Sequence, residues 1–182
     1  MLAVFMFSKK IENQLQKQSY VSKQKIAGVE IVDLKEFSDD GGSFVEIGRL
    51  GKGLLKAFPD FEVKQMNYST ILPGAVKATH IHKVQEDVWF VLPSSRILVG
   101  LQDLREGSKT EGVKMRFVLG AGHAQLLLIP RGVAHGLANL SGKLASMIYF
   151  VNQHFSADEK TCDEYRLPAD FFGLNFWEMT KG

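Results

Sequence analysis

Short apolar runs recur along most of this chain, each cut by Gly, Pro, Ser or Asn before it grows long enough for a helix. From Gly28 onward the runs are Val29–Leu34, Phe44–Ile47, Val63–Ser69, Val88–Leu92, Ile97–Leu101, Met115–Leu119, Ala124–Ile129 and Leu144–Asn152. Their lengths and punctuation are those of strands. Val88–Leu92 and Ile97–Leu101 flank Pro93-Ser94-Ser95 and read as a hairpin. Many short antiparallel strands in one chain predict an all-β barrel or jelly roll. Two segments break the pattern. Residues 8–25 are rich in Gln, Lys and Ser, with Ile11, Leu15 and Tyr20 as apolar anchors, and read as a weak helix or an extension. Residues 1–27 are therefore expected to be an N-terminal arm and 28–182 the barrel domain. Pro168–Met179 carries Phe171, Phe172, Phe176 and Trp177 and predicts a short peripheral helix packed on the barrel.

Composition narrows the class without changing the fold. With 182 residues the chain suits one domain with a sizeable core. A net charge of +2, with no basic stripe interleaved with aromatics, argues against nucleic acid as a partner. Cys162 is the only cysteine, which rules out a disulfide framework and fits a reducing compartment. The apolar run Met1–Phe7 is short, and Lys9 and Lys10 follow it instead of preceding it, the wrong order for a secretory leader. No segment approaches the apolar length of a membrane span. The expectation is a cytoplasmic protein with no membrane partner.

The candidate chemistry lies in two segments, Gly74-Ala-Val-Lys77-Ala-Thr-His80-Ile-His82-Lys-Val-Gln-Glu86 and Ile129-Pro130-Arg-Gly132-Val-Ala-His135-Gly-Leu-Ala-Asn139. Residues two apart on a strand share a face, so His80 and His82 project together. Unbroken alternation would add Glu86 to that row, with Val88 and Phe90 continuing it as apolar filler and Trp89 on the outer face. The Pro-x-Gly corner turns the second segment back so that His135 points inward. His80, His82, Glu86 and His135 at a barrel mouth suit a divalent transition metal such as iron, manganese, nickel or zinc. They equally suit proton transfer with no cofactor, and the spacing alone leaves both open.

These two segments resemble the general cupin motifs G-x5-H-x-H-x3-E and P-x-G-x2-H-x3-N. A finer resemblance is to the dTDP-4-dehydrorhamnose 3,5-epimerase family. Asp39-Asp40-Gly41-Gly42-Ser43-Phe44-Val45-Glu46 is similar to that family's D-x-R-G-x-F-x-E, and Gln65-Met66-Asn67-Tyr68-Ser69 to its Q-x-N-x-S. Ile129 to Gly136 resembles I-P-x-G-F-A-H-G, and Tyr149 matches the family's strand tyrosine. The resemblance runs from about Gly28 to Trp177. It implies a dimeric cupin jelly roll, working in surface-polysaccharide sugar biosynthesis on a nucleoside-diphosphate 4-keto-6-deoxy sugar. A base and an acid would there remove and return a proton at C3 or C5. His80 would be the base and Tyr149 the acid, with Gln65 and Asn67 on the nucleotide, Lys77 on a phosphate, and His135 lining the pocket.

The chain departs from the family at chosen points. Gly41 replaces a phosphate-binding arginine, His82 a glutamine, and Asp87 falls near the lysine that steadies the enolate. The aspartate that partners the family's catalytic histidine lies beyond the position of Trp177 and has no counterpart before Gly182, which leaves Glu86 or Asp87 as substitutes. Those departures strengthen the metal reading, and they also suit a binder of nucleotide sugar without turnover.

Overall fold

The computed structural model describes residues 6–15, 17 and 24–180. Its strands are β1 Glu30–Asp33, β2 Glu36–Asp39, β3 Gly42–Val45, β4 Leu50–Gly51, β5 Leu54–Leu55, β6 Phe58–Glu62, β7 Gln65–Ile71 and β8 Val76–Ile81. They continue with β9 Asp87–Val91, β10 Arg96–Asp103, β11 Lys114–Gly120, β12 Gln125–Ile129, β13 Val133–Ala138, β14 Ala145–Val151 and β15 Tyr165–Arg166. Two five-stranded antiparallel sheets, β1-β12-β9-β14-β7 and β11-β10-β13-β8-β15, form the jelly roll. A hairpin β2-β3 and a small sheet β4-β5-β6 are appended to it.

Between the sheets lies a core of Ile71, Val91, Ile97, Val99, Leu101, Leu127 and Ile129, all essentially solvent-free. A second cluster occupies the opposite face of the first sheet. There Val88, Phe90, Leu126 and Phe150 pack under Leu55, Phe58 and Phe61 of the small sheet. Strand β9 is consequently buried along its whole length, with apolar neighbours on both faces. The first sheet behaves like the central sheet of a layered protein, where alternation between polar and apolar positions disappears.

Three expectations are corrected here. Val88–Leu92 and Ile97–Leu101 do not form a hairpin. Strand β9 pairs with β12 and β14, whereas β10 pairs with β11 and β13, so Pro93–Ser95 carries the chain from one sheet to the other. The tail after Pro168 forms successive turns and no helix. Its aromatics still dock: Phe172 stacks on Phe176 at 4.7 Å, and Phe176 and Trp177 lie so close over Gly100 that a Cβ there would meet them at 2.5 and 2.8 Å. Among the described residues the only helical turn is Lys9–Glu12, where Ile11 and Leu15 are exposed and anchor nothing. Tyr20 lies outside the described residues. Among the described residues the first buried one is Ile26, which is 1% exposed.

One polar network ties the segment before β1 to the loop after β10. The fully buried Asp103 carboxylate accepts bonds from Arg105 Nε and Nη2, Ser108 Oγ and Thr110 Oγ1. Arg105 Nη2 also donates to the Ala27 carbonyl at 2.7 Å, and the Ala27 N–H donates to Thr110. The Arg105 guanidinium holds the Asp103 carboxyl far below the ordinary carboxylate range, against the opposing effect of burial.

Removing one partner of such a pair strands the other. Asp103→Asn is expected to lower unfolding free energy by about 3 kcal/mol in urea denaturation. Because the folded-state value is depressed, this stabilisation is complete above pH ~4 and is lost as pH falls from there. The wild type should therefore lose stability on acidification more steeply than the variant.

Candidate active site

Strand β7 shows the simplest link from sequence to site. Its residues alternate, with Gln65, Asn67 and Ser69 half-buried and Met66, Tyr68 and Thr70 exposed. The inward row lines a cavity of about 500 Å³ between the sheets. Gln65 Nε2 donates to Asn67 Oδ1 at 2.7 Å, and Gln65 Oε1 accepts the Phe155 N–H at 2.9 Å, so both amides are pre-set.

Strand β8 supplies the next wall and departs from alternation. Lys77 and His80 are three apart, yet both line the cavity. The register with β13 shifts between His80↔His135 and Leu137↔Lys77, placing one extra residue in β8. A bulge of this kind re-aims the side chains beyond it. Gly136 makes room for it, since a Cβ there would sit 2.7 Å from the Ala78 Cβ. Lys77 Nζ donates to Ser69 Oγ and to the Thr70 carbonyl, each at 3.2 Å, bracing the ammonium at the cavity rim.

The three histidines converge as the i, i+2 spacing and the Pro130–Gly132 corner require. His135 lies 6.1 Å from His80 and 5.2 Å from His82, ring centre to ring centre. Both His82 and His135 donate from Nδ1 to backbone carbonyls, of Asp163 at 2.8 Å and of Val133 at 3.0 Å. A carbonyl only accepts, so Nδ1 carries the proton and Nε2 presents a lone pair in each.

Glu86 does not join them. After His82 the chain turns, and Glu86 pairs with Asn152 outside the cavity. The turn reverses the inward row, so Asp87 and Trp89 line the cavity while Val88 and Phe90 face the second core. Trp89 packs edge-on against His135 at 5.5 Å and donates from Nε1 to Asp87 at 3.1 Å, not on the outer face as expected. The expected metal set of His80, His82, Glu86 and His135 is thereby corrected. The three side chains whose donor atoms lie within 4.8 Å of one another are His82, Asp87 and His135. His80 stands apart from that group.

What holds the turn is Asp163, which the sequence reading missed. Its carboxylate accepts the N–H groups of Lys83, Val84 and Gln85 at 3.1, 2.8 and 2.7 Å, while its carbonyl holds His82. Burial would raise this carboxyl, but the three backbone bonds outweigh it and the net shift is downward. The next residue, Glu164, is a second missed group. Its Oε1 lies 3.9 Å from His80 Nε2 and accepts a bond from Arg166 Nη2 at 2.7 Å. Both lie immediately before β15, a two-residue strand whose only sequence trace is the polar stretch Asp163-Glu164-Tyr165-Arg166.

Titration in the cavity is ordered by burial. Burial lowers His80, partly offset by Glu164, so the imidazole is neutral near pH 7. Burial likewise lowers His135, against the attraction of Asp87. Tyr149 is raised by burial and then by the negative charges of Asp87 and Glu164, which keeps its phenol protonated. A neutral base and a protonated acid thus open into one cavity.

Comparison with known proteins agrees with this geometry. Residues 23–169 match the family model described as dTDP-4-dehydrorhamnose 3,5-epimerase. The chain is 40% identical over 151 residues to the spore coat polysaccharide biosynthesis protein SpsL of Bacillus subtilis, covering 83% of this chain and 95% of the relative. It is 32% identical to a probable low-salt glycan biosynthesis epimerase, Agl13, of Haloferax volcanii, covering 80% of this chain and 89% of the relative. A crystal structure of a dTDP sugar isomerase from Desulfovibrio desulfuricans superposes with a TM-score of 0.68 at 25% identity, covering 85% of this chain and 91% of that one. The chain therefore belongs to the dTDP-4-dehydrorhamnose 3,5-epimerase family.

Proposed function

We propose that this cavity binds a nucleoside-diphosphate 4-keto-6-deoxy hexose and inverts C3, C5 or both by moving a proton from one face of the sugar to the other. The carrying observation is that neutral His80 and protonated Tyr149 line one cavity with the polar row of β7. A ketone acidifies the carbons beside it, so a neutral imidazole can accept a proton there. Glu164, near His80 Nε2, steadies the imidazolium that forms and takes the place of the aspartate expected of this family. The Tyr149 hydroxyl returns a proton to the carbanion. Gln65 and Asn67 serve the nucleotide and Lys77 a phosphate, as a point charge without the fork of an arginine. His135 walls the sugar end. In this reading the chain works in the cytoplasm and supplies sugars for surface polysaccharide, a role supported by its likeness to SpsL and Agl13.

The functional unit in this reading is a homodimer. Hairpin β2-β3 carries the motif from Asp39 to Glu46, yet none of its residues lines the cavity of its own chain. Phe37 and Phe44 stand 52% and 63% exposed on it. Strand β7 is an open edge bearing exposed Met66, Tyr68 and Leu72, the kind of edge that proteins usually cover. A second copy covers both surfaces and brings the hairpin to its partner's cavity.

In deuterated water, with a dTDP-linked 4-keto-6-deoxy hexose, the wild type should place deuterium at C3 or C5, read by mass spectrometry and proton NMR. His80→Ala should abolish this. Tyr149→Phe should spare removal of the proton more than net inversion. Binding of the nucleotide sugar by the wild type with exchange at neither carbon would make the chain a binder and not an epimerase.

Light scattering after size exclusion should give twice the chain mass. Phe44→Asp should shift the species toward monomer and reduce exchange, because the cavity then loses the hairpin of its partner. A wild type that runs as a monomer at full activity contradicts the dimeric site.

A further inference from the structure

We propose that Arg166 is a positioning residue for the base, one that holds the Glu164 carboxylate beside His80 but off a direct hydrogen bond in the resting site. The role of His80 as base rests on the epimerase reading; the arrangement of the three side chains does not. That arrangement begins in the pairing of β15 with β8. Arg166 stands directly opposite His80 and Tyr165 opposite Ile81, and the Leu167 N–H donates to the Thr79 carbonyl at 3.0 Å. Residues opposite one another in an antiparallel pair share a face, as do residues two apart along an extended chain. Glu164, Arg166 and His80 are thereby grouped on one side of the sheet. His80 and Glu164 line the cavity, whereas Arg166 lies behind them with its side chain 67% exposed. The arginine therefore acts through the carboxylate and not on the sugar.

One oxygen carries the arrangement. Glu164 Oε1 accepts from Arg166 Nη2 at 2.7 Å and lies 3.9 Å from His80 Nε2. The first contact is a charge-assisted hydrogen bond, and the second is too long to be one. Among the described residues Glu164 makes no other hydrogen bond through its side chain.

Two simpler sites would serve a base less well. An imidazole bonded to a lone carboxylate holds its proton and cannot accept another near neutral pH. An imidazole with no carboxylate gains no counter-ion when it takes a proton. With Glu164 tied to Arg166, His80 rests neutral, and a closure of about 1 Å brings the contact within hydrogen-bond range once the imidazolium forms.

The charged and titratable groups around His80 come from every neighbouring strand. They are Glu164 and Arg166 at β15, His82 and Lys77 on the β8 side, Asp87 on β9, His135 on β13 and Tyr149 on β14. Burial has the largest effect on His80 and lowers it. Glu164 raises it, Arg166 and His82 lower it, and Asp87 raises it again. Of these groups, Arg166 is the one hydrogen-bonded to the acid nearest the base.

The test compares wild type with Arg166→Met, Arg166→Lys and Glu164→Gln, with thermal melts confirming that each variant is folded. The His80 imidazole is titrated by NMR without substrate, and deuterium exchange into a dTDP-linked 4-keto-6-deoxy hexose is followed against pH. Without Arg166 the carboxylate pairs with His80 alone and raises it, so the neutral base is lost from the acid side upward. In Arg166→Met the His80 midpoint and the acid limb of exchange should move together to higher pH. Exchange should fall at least roughly threefold near pH 6 and return to the wild-type rate near pH ~9. Arg166→Lys, which keeps the charge, should restore most of the wild-type profile. Glu164→Gln should move the midpoint down, and adding Arg166→Met to it should shift the midpoint less than in wild type.

An unmoved midpoint in Arg166→Met overturns the proposal, whether exchange is unchanged or falls equally at every pH. An equal shift with and without Glu164 also overturns it, because Arg166 would then act on His80 directly. Wild type that exchanges at neither carbon removes the epimerase reading, while the substrate-free titration still decides the role of Arg166.

Discussion

A single carboxylate, that of Asp163, organises the mouth of this barrel. Three consecutive backbone N–H groups converge on it, and the carbonyl of the same residue fixes the ring of His82. Bonds of this charged kind contribute about 1.5–3 kcal/mol each, and here they act on a turn with no strand pairing of its own. The turn determines which side of β9 faces the cavity. With it in place Asp87 and Trp89 look inward, Val88 and Phe90 seal the second core, and Glu86 is excluded. A one-residue change of phase would exchange every one of those assignments.

The same turn separates two chemical environments a few ångströms apart. His80 lies beside Glu164 at the wetter side, neutral but close to a carboxylate that welcomes its protonated form. His82 and His135 lie deeper, oriented by backbone carbonyls and facing Asp87. Burial, and then the negative charge of both Asp87 and Glu164, secures the proton of Tyr149. The neutral His80 imidazole, the protonated Tyr149 phenol and the deeper pair of imidazoles thus differ in environment by position alone, although three of the residues are the same amino acid.

Much of this was legible in the sequence. The family resemblance named Gln65 and Asn67, the i, i+2 pair named His80 and His82, and the Pro130–Gly132 corner named His135. The jelly roll followed from many short runs with breakers between them. The errors have physical sources. Strand β9 is apolar on both faces, so its phase cannot be read from hydrophobicity, and a turn of four residues before it reset the row. The link from β9 to β10 resembled a hairpin because Pro and Ser mark a sheet-to-sheet crossing as readily as a tight turn. The tail aromatics suggested a helix, but they dock one by one against the bare backbone at Gly100. Asp163 and Glu164 are held at the site by the two-residue strand that follows them, far too short to carry a pattern.

The account's central claim is that the Asp163 clamp, by fixing the turn before β9, controls the chemistry of the cavity. Asp163→Ala tests it through amide hydrogen exchange, read alongside deuterium uptake into the nucleotide sugar. The account predicts that Lys83, Val84 and Gln85 lose protection while β10 and β13 keep theirs. Sugar exchange should fall by about 100-fold, the scale of a misplaced catalytic group. Lost protection at those three amides with undiminished sugar exchange would contradict it.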